Sequence, residues 1–417
     1  MSLIKIDDGI LQYEINSGFI EIIELRAKSK ELERKLINKL IVCTNHLDLN
    51  IRMNQLVIKK DDYRIKRFFK IGSLKTGKKN NICDCEGVSV GHFTLNNGDY
   101  HTGITVIKPH PGNIFKEKVV ASSYSFNGFG KSIGLVQVEE LGTIETNVVF
   151  TSTMQVGKIA DGVVEEALEN NPEIAETTGT VNPLVMECND GDLNKSRDRI
   201  LTKDDYKKAL NNVGFDFVQG DVGAGSGMTC HGFKGGIGSS SRVVNIDGKD
   251  YTIGVIVNSN FGSSNGEDLI INACKFTDLC SRCEELLMDE KGSIVACVAT
   301  NAPLNERQLK RILKRVEIGI GRTGSFAGNG SGDVFVGFST ANKRFHFNEK
   351  AISYVEFLSD SNINPLFKGV VEATEEAVLN SMMFAHHLKG YKKELKALGE
   401  ESNLLIDLFD EEIEWKD

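Results

Sequence analysis

The residues Asp289–Thr300, which read DEKGSIVACVAT, decide the fold of this chain. A charged approach ends at Gly292, and Ser293 then opens a run of small and β-branched apolar residues. The run is short, apolar and bounded by Asn301 and Pro303, which predicts a strand buried on both faces. The sheet would fix the main chain of Ser293 and place its hydroxyl at the end of the sheet where this strand begins. If the Gly292–Ser293 peptide bond were cut, Ser293 would carry both a nucleophile and a base.

Taken alone, a Gly-Ser step before a strand is an ordinary turn, so the rest of the sequence has to support a catalytic interpretation. The composition is that of a globular protein, with 417 residues of which 40% are hydrophobic and 26% charged. The formal net charge of −9 argues against a nucleic acid or an anionic membrane as partner. The sequence shows no apolar run of transmembrane length and no signal-peptide pattern, so we expect a cytoplasmic protein.

No pattern in the sequence predicts a metal or another cofactor. The nine cysteines form no framework, and the single CxxC of Cys280 and Cys283 supplies half of the four ligands that structural zinc needs. A phosphate-binding loop with the pattern GxxxxGK followed by Ser or Thr does not occur. Residues Gly319–Gly324 match GxGxxG, but they follow a predicted helix instead of a strand, so the mechanics of dinucleotide binding are missing.

Two regions differ in composition. Residues 1–68 form an N-terminal appendage of unknown role, and Ile20–Leu40 within it carries apolar residues at loosely helical spacing, which predicts a helix. From Ile71 onward the chain is rich in Gly, Val, Thr and Asn. We therefore predict a second unit over residues 69–417 that holds the functional site.

Within this second unit, strands come in groups with helices between the groups, which predicts stacked sheets covered by helices. The predicted strands include residues 88–92, 102–107, 183–188, 251–257, 293–300 and 334–338. The predicted helices cover residues 156–169, the region around 309–316 and residues 367–388.

Several motifs, in this order, resemble the L-aminopeptidase/D-amidase/D-esterase family, which includes the β-aminopeptidases. They are Val138–Thr143 (VEELGT), Glu187–Gly191 (ECNDG), Gly223–Met228 (GAGSGM), Phe233–Gly238 (FKGGIG), Gly292–Ser293 with Val298–Leu304 (VATNAPL), Arg322–Gly324 (RTG) and Ser331–Asp333 (SGD). The resemblance runs from about Ile71 to the last long helix.

The resemblance implies an α+β protein with a four-layer αββα sandwich like that of the N-terminal-nucleophile hydrolases. It also implies autocleavage between Gly292 and Ser293. The α chain would end at residue 292, and the β chain from residue 293 would stay bound to it. A homo-oligomer is expected, as a tetramer of αβ pairs, with no cofactor.

The resemblance also assigns roles to four residues around the cut. Ser293 would be the nucleophile, and its freed α-amine, with a reference pKa near roughly 7.7–8.0, would be the general base. Asn260 matches the oxyanion-hole asparagine of the family, although it is also a plausible turn residue. Ser331 and Asp333 match a serine–carboxylate pair that would orient and tune the amine of Ser293.

Two further residues are expected to bind substrate. Glu187 would hold the free ammonium group of the substrate, or else would only cap the turn that follows it. Asn189 stands where some family members have a catalytic tyrosine. At this position the sequence departs from the family, so hydrogen bonding to the tetrahedral intermediate would rest more on Asn260 and on main-chain N–H groups.

The predicted function is therefore that of an autoprocessed serine aminopeptidase or amidase. It would release N-terminal residues from small peptides, amides or esters. One alternative is an acyltransferase of the related fold found in arginine biosynthesis, but the nucleophile there is usually threonine. The other alternative is an unprocessed binding protein without catalytic activity.

Overall fold

The computed structural model describes residues 2–6, 9–15, 19–26, 36, 40, 50–53, 56–58, 71–271, 273–276, 292–347 and 351–400. The pair Cys280 and Cys283, which we considered as candidate zinc ligands, lies outside the described residues. In the part that is described, no helix is long and apolar enough to cross a membrane.

The N-terminal region contains a sheet with the strand order β1-β2-β3-β4-β5. Its strands are β1 (Ser2–Ile6), β2 (Gly9–Ile15), β3 (Phe19–Arg26), β4 (Asn50–Met53) and β5 (Leu56–Ile58). Strands β3 and β4 run parallel, and the other neighbouring pairs are antiparallel.

The predicted helix over Ile20–Leu40 is wrong at its start, because Phe19–Arg26 forms strand β3. Ile22 pairs with Tyr13 and Leu25 with Leu11, with a register shift between them. This bulge adds one residue to β3 and brings two side chains three positions apart to the same face. The spacing that indicated a helix is therefore that of a bulged strand.

The rest of the described chain forms the following strands and helices. The strands are β6 (Ser89–Asn97), β7 (Tyr100–Lys108), β8 (Glu117–Gly128), β9 (Thr143–Ile144), β10 (Val148–Ser152), β11 (Leu184–Cys188), β12 (Thr229–Cys230), β13 (Phe233–Lys234), β14 (Gly236–Ile246), β15 (Lys249–Asn260), β16 (Ile270–Ile271), β17 (Cys274–Lys275), β18 (Ser293–Thr300), β19 (Gly332–Phe345), β20 (Leu388–Lys389) and β21 (Glu394–Leu395). The helices are α1 (Leu135–Leu141), α2 (Val156–Asn170), α3 (Lys203–Asn211), α4 (Glu306–Gly321) and α5 (Asn364–Met383).

Two sheets lie face to face at the centre of the molecule. One has four strands in the order β11-β10-β7-β6, and the other has six in the order β14-β15-β18-β19-β8-β9. Apolar side chains of both sheets share one buried cluster. Helices α2 and α3 cover the four-stranded sheet, and α4 and α5 cover the six-stranded sheet. The predicted four-layer αββα sandwich is thus confirmed.

Strand β18 lies in the middle of this arrangement, and all eight of its residues are buried. Ile294, Ala296 and Val298 pack toward helices α4 and α5. Val295 and Cys297 pack toward the four-stranded sheet. This alternation explains the continuous apolar run in the sequence, because a central strand between two covered faces has no polar side.

The last helix differs slightly from its predicted limits of residues 367–388. Pro365 lies in the first turn of α5, where a missing N–H is tolerated, and the helix ends at Met383. The short helix α1 was not predicted from the sequence. Left-handed glycines at 134 and 142 bound it on both sides, so its seven residues give too little periodicity to be recognised.

Candidate active site

Three strand ends meet at Ser293, the first residue of β18. Strand β15 is antiparallel to β18, so its last residue, Asn260, stands opposite Ser293. Strand β19 is parallel to β18, so its first residue, Gly332, stands beside Ser293 on the other flank. The sheet therefore brings Asn260, Ser293 and the start of β19 together at one end of its strands, although they are far apart in the sequence.

Gly292 can only be a glycine in this fold. Its φ is +131°, and a Cβ there would lie 1.9 Å from the carbonyl oxygen of Asn260. Its own carbonyl oxygen accepts a hydrogen bond from the Gly332 N–H at 3.2 Å. The same N–H also donates to the Ser293 Oγ at 3.3 Å. One main-chain donor thus contacts both the hydroxyl and the carbonyl group that this hydroxyl would attack.

The amide group of Asn260 is held at both ends. Its Oδ1 accepts from the Thr229 N–H at 2.9 Å, and its Nδ2 donates to the Asn189 carbonyl oxygen at 3.0 Å. These two contacts fix which end of the amide carries the donors. Because an amide nitrogen has two hydrogens, one N–H remains for a further acceptor beside Ser293.

Ser331 and Asp333 form a buried pair on either side of Gly332. The Ser331 Oγ donates to the Asp333 Oδ1 at 2.6 Å. Both side chains are buried. The structure thus places the predicted serine–carboxylate pair at the start of β19, the strand next to Ser293, with the carboxylate oriented by the hydroxyl.

Glu187, the penultimate residue of β11, is a buried carboxylate. Its Oε1 accepts from the Lys131 N–H at 2.7 Å, and its Oε2 accepts from the Thr153 hydroxyl. Among the described residues no cationic side chain forms an ion pair with it. A buried carboxylate with neutral donors alone is suited to take up a cation, such as a substrate ammonium group.

Asn189 contributes through its main chain. Its side-chain Oδ1 accepts from the Gly191 N–H at 3.0 Å and so closes the turn after β11. The side chain is exposed, while the carbonyl oxygen of the residue receives the Asn260 amide. The contact that links Asn189 to the site is therefore independent of its residue type.

A glycine-rich segment, Gly128–Lys131, connects the two halves of the site. A Cβ on Gly332 would lie 2.7 Å from the Phe129 carbonyl oxygen and 3.1 Å from the Ser293 Oγ. A Cβ on Gly130 would lie 3.5 Å from the Glu187 Oε1. The segment thus runs from the side of Ser293 to the side of Glu187.

Sequence reasoning did not assign roles to this segment, to Gly332 or to Thr153. The glycine spacing was a visible signal, but its meaning depends on which strands become neighbours. Thr153 carries no signal of its own, because it approaches Glu187 only through the parallel pairing of β10 and β11.

Comparison with known proteins decides the family. Residues 80–396 match the model of Peptidase family S58. The chain belongs to this family. It is therefore a hydrolase of the serine aminopeptidase and amidase type, with the fold of the N-terminal-nucleophile hydrolases.

Known proteins similar to this chain match most of its length. The beta-peptidyl aminopeptidase BapA of Sphingosinicella microcystinivorans is 34% identical over 76% of this chain and 84% of its own. The structure of the PH0078 protein from Pyrococcus horikoshii OT3 is 44% identical, covers 82% of this chain and 98% of its own, and has a TM-score of 0.78. The L-aminopeptidase D-Ala-esterase/amidase of Ochrobactrum anthropi, described as a variant of the Ntn hydrolase fold, is 32% identical over 81% of this chain and 96% of its own, with a TM-score of 0.74.

These comparisons confirm the family, the fold class and the enzyme class that the motifs predicted. Family S58 is a peptidase family, so the match favours the predicted hydrolase over both alternatives, the acyltransferase and the non-catalytic binding protein. The roles of the individual site residues stay predictions.

Proposed function

We propose that the chain cuts itself between Gly292 and Ser293 and then releases N-terminal residues from small peptides, amides or esters. The observation that carries this proposal is the Gly332 N–H, which lies 3.2 Å from the Gly292 oxygen and 3.3 Å from the Ser293 Oγ. A donor at this position can stabilise the charge that develops on the Gly292 oxygen during attack.

The cut follows from the chemistry of a serine beside its own peptide bond. The Ser293 Oγ adds to the Gly292 carbonyl carbon, and the hydroxyl proton passes to the departing nitrogen, so the peptide bond becomes an ester. Water then cleaves the ester. The products are a carboxylate on Gly292 and a free amine on Ser293, which retains its hydroxyl.

In turnover, the freed amine of Ser293 takes the proton from its own hydroxyl, because an α-amine titrates close to neutral pH. The Oγ attacks the substrate carbonyl carbon, the amine or alcohol leaves with a proton, and water hydrolyses the acyl-enzyme. Asn260 and the Gly332 N–H stabilise the oxyanion. Ser331 and Asp333 orient the amine.

Glu187 gives the reaction its preference for the amino end of a substrate. Its carboxylate is buried, holds two neutral donors and lies next to the segment that leads to Ser293. A charge-assisted hydrogen bond to a substrate ammonium group contributes about 1.5–3 kcal/mol. The site therefore accepts a free N-terminus and rejects an acylated one.

The names of the relatives support small substrates of several chemical types. One relative is named as a beta-peptidyl aminopeptidase, and another as an L-aminopeptidase and D-Ala-esterase/amidase. Amides, esters and short peptides share the two features that this site contacts, a free amine and an acyl carbon.

Assembly and location are further parts of the proposal. We propose a cytoplasmic homo-oligomer, a tetramer of αβ pairs, in which residues 1–68 are an appendage to the peptidase unit 69–417. Exposed apolar side chains between β19 and α5 support an interface between copies, since Ile352 is 68%, Tyr354 95% and Phe357 65% exposed. The start of the family match at residue 80 supports the boundary.

Mass spectrometry of the undigested protein and a turnover assay test the proposal together. The wild type should consist of fragments 1–292 and 293–417, and Ser293→Ala should stay whole. The wild type should release p-nitroaniline from an aminoacyl p-nitroanilide and leave the N-acetylated form intact. Cleavage of Ser293→Ala at the same bond, or turnover by an uncut chain, would contradict the mechanism.

A further inference from the structure

Two exposed apolar residues lie close in the chain to the groups that hold the carboxylate of Glu187. Its two donors are the Lys131 N–H and the Thr153 hydroxyl. Close to each donor in the chain stands a large apolar side chain that is open to solvent: Phe129, two residues before Lys131, is 59% exposed, and Met154, next to Thr153, is 50% exposed. Exposed apolar side chains that stand singly are common, but two of them close in the chain to the donors of one buried carboxylate suit a ligand with an apolar part.

The position of Phe129 connects Glu187 to Ser293. Its carbonyl oxygen lies against Gly332, the neighbour of Ser293, and the next residue, Gly130, lies against Glu187. A substrate with its amine on Glu187 and its carbonyl group at Ser293 must therefore pass along Phe129 and Gly130. The side chain of its N-terminal residue branches from the carbon chain between these two groups.

The ring of Phe129 is supported in its exposed position. The Lys131 Nζ lies 4.2 Å from the ring centroid, which is a cation–π contact. Lys131 thus holds Glu187 through its main chain and the Phe129 ring through its side chain. The same residue fixes the amine site and the apolar surface beside it.

We propose that Phe129 and Met154 form the subsite for the side chain of the N-terminal substrate residue, and that this subsite selects apolar side chains. The inference rests on the proposed function, because it takes the positions of the amine and the carbonyl group from it. An apolar side chain that covers the Phe129 ring removes apolar surface of both partners from water, whereas glycine gains nothing from this contact.

Four p-nitroanilides, those of glycine, alanine, leucine and phenylalanine, test the subsite. The wild type should prefer leucine and phenylalanine, and Phe129→Ala should lower the leucine-to-glycine ratio of kcat/KM about tenfold. The loss should lie mainly in KM, since the contact forms on binding. Met154→Ala should act in the same direction with a smaller effect.

Phe347→Ala is the matched control, because Phe347 is 57% exposed and follows the far end of β19, roughly 45 Å along the strand from Gly332. It should retain the ratio of the wild type. If cleaved Phe129→Ala kept the leucine-to-glycine ratio of the wild type, or lost kcat/KM equally for all four substrates, the inference would be overturned. The proposed function would still stand. An inactive wild type would overturn the proposed function, and the inference with it.

Discussion

Ser293 lies between two glycines that cannot be replaced, for different reasons. Gly292 has a left-handed φ and touches the Asn260 main chain, while Gly332 has no space for a Cβ beside Phe129. Gly292 could be recognised from the sequence because it adjoins Ser293, the predicted nucleophile. The role of Gly332 could not, because it depends on the parallel register of β18 and β19.

Asn260 offers a direct test of the oxyanion hole. Asn260→Ala should lower kcat by about 10²-fold with little change in KM, because the contact strengthens only in the transition state. Steady-state kinetics with an aminoacyl p-nitroanilide measure the effect. The fraction of cleaved chain must be determined first, since the cut uses the same region. A fully cleaved variant with nearly normal kcat would remove Asn260 from the reaction.

For the other site residues too, the sequence reveals some features of the site, while others depend on the fold. Ser331 and Asp333 were predicted as a pair, and the structure joins them by a hydrogen bond. Asn189 was predicted to bind substrate, which stays a prediction, and in the structure its side chain closes a turn while its carbonyl oxygen holds Asn260. The sequence contains the residue type at each position, but the direction in which a side chain points depends on the turn that carries it.

Among the structural elements, the hairpin of β12 and β13 controls the orientation of Asn260. Thr229 pairs with Lys234 in this hairpin and donates its N–H to Asn260. Lys234 is fully buried, and its Nζ donates to the carbonyl oxygens of Gly225 at 3.0 Å and Gly235 at 2.7 Å. The lysine thus links the glycine-rich stretch before the hairpin to the residue that follows the hairpin.

The buried charge of Lys234 makes the stability of the fold depend on pH. Burial lowers the pKa of Lys234 from 10.5 to about 8. The fold therefore carries the full penalty for the buried charge below pH 8, and the penalty disappears as the pH rises from 8 toward 10.5. Relative to Lys234→Met, the lysine protein should gain about 3 kcal/mol in free energy of unfolding over this range.

Urea unfolding between pH 7 and pH 10.5 measures this gain. Both proteins should carry Ser293→Ala, so that each unfolds as one whole chain. The comparison of two proteins that differ only at residue 234 cancels the titration of the other lysines and of the tyrosines. Parallel pH profiles of the two proteins would show that Lys234 is not titrated in this way.

Regular elements were predictable where the local pattern was undisturbed. The apolar run of β18 and the periodic face of α2 both appear as predicted. The helix predicted over Ile20–Leu40 failed at β3, because a bulge in a strand shifts the two-residue alternation by one position. Neither the bulge nor the strand order can be deduced from one strand, since both depend on the partner strand.

At the scale of the whole molecule, the six-stranded sheet mixes both products of the proposed cut. Strands β14, β15, β8 and β9 belong to residues 1–292, and β18 and β19 belong to residues 293–417. In the order β14-β15-β18-β19-β8-β9, the strands of the second fragment lie between those of the first. The resemblance to a family supplied this fold, whereas periodicity alone predicted only stacked sheets under helices.

This interleaving predicts a difference in refolding. After denaturation, the cut wild type has to join two polypeptides, so its refolding rate should rise with protein concentration. Ser293→Ala, as one chain, should refold at a rate independent of concentration. Recovery of far-UV circular dichroism from about 0.1 to 10 µM protein measures both rates. Equal, concentration-independent rates would show that the fragments do not depend on each other.

If the chain is cut as we propose, the interleaved sheet also makes unfolding of the matured molecule difficult to reverse. A precursor that unfolds can return, because a single backbone keeps its two parts together. A matured molecule that unfolds becomes two separate polypeptides at cellular dilution. Its working lifetime is then set by how slowly the sheet opens and not by an equilibrium between folded and unfolded states.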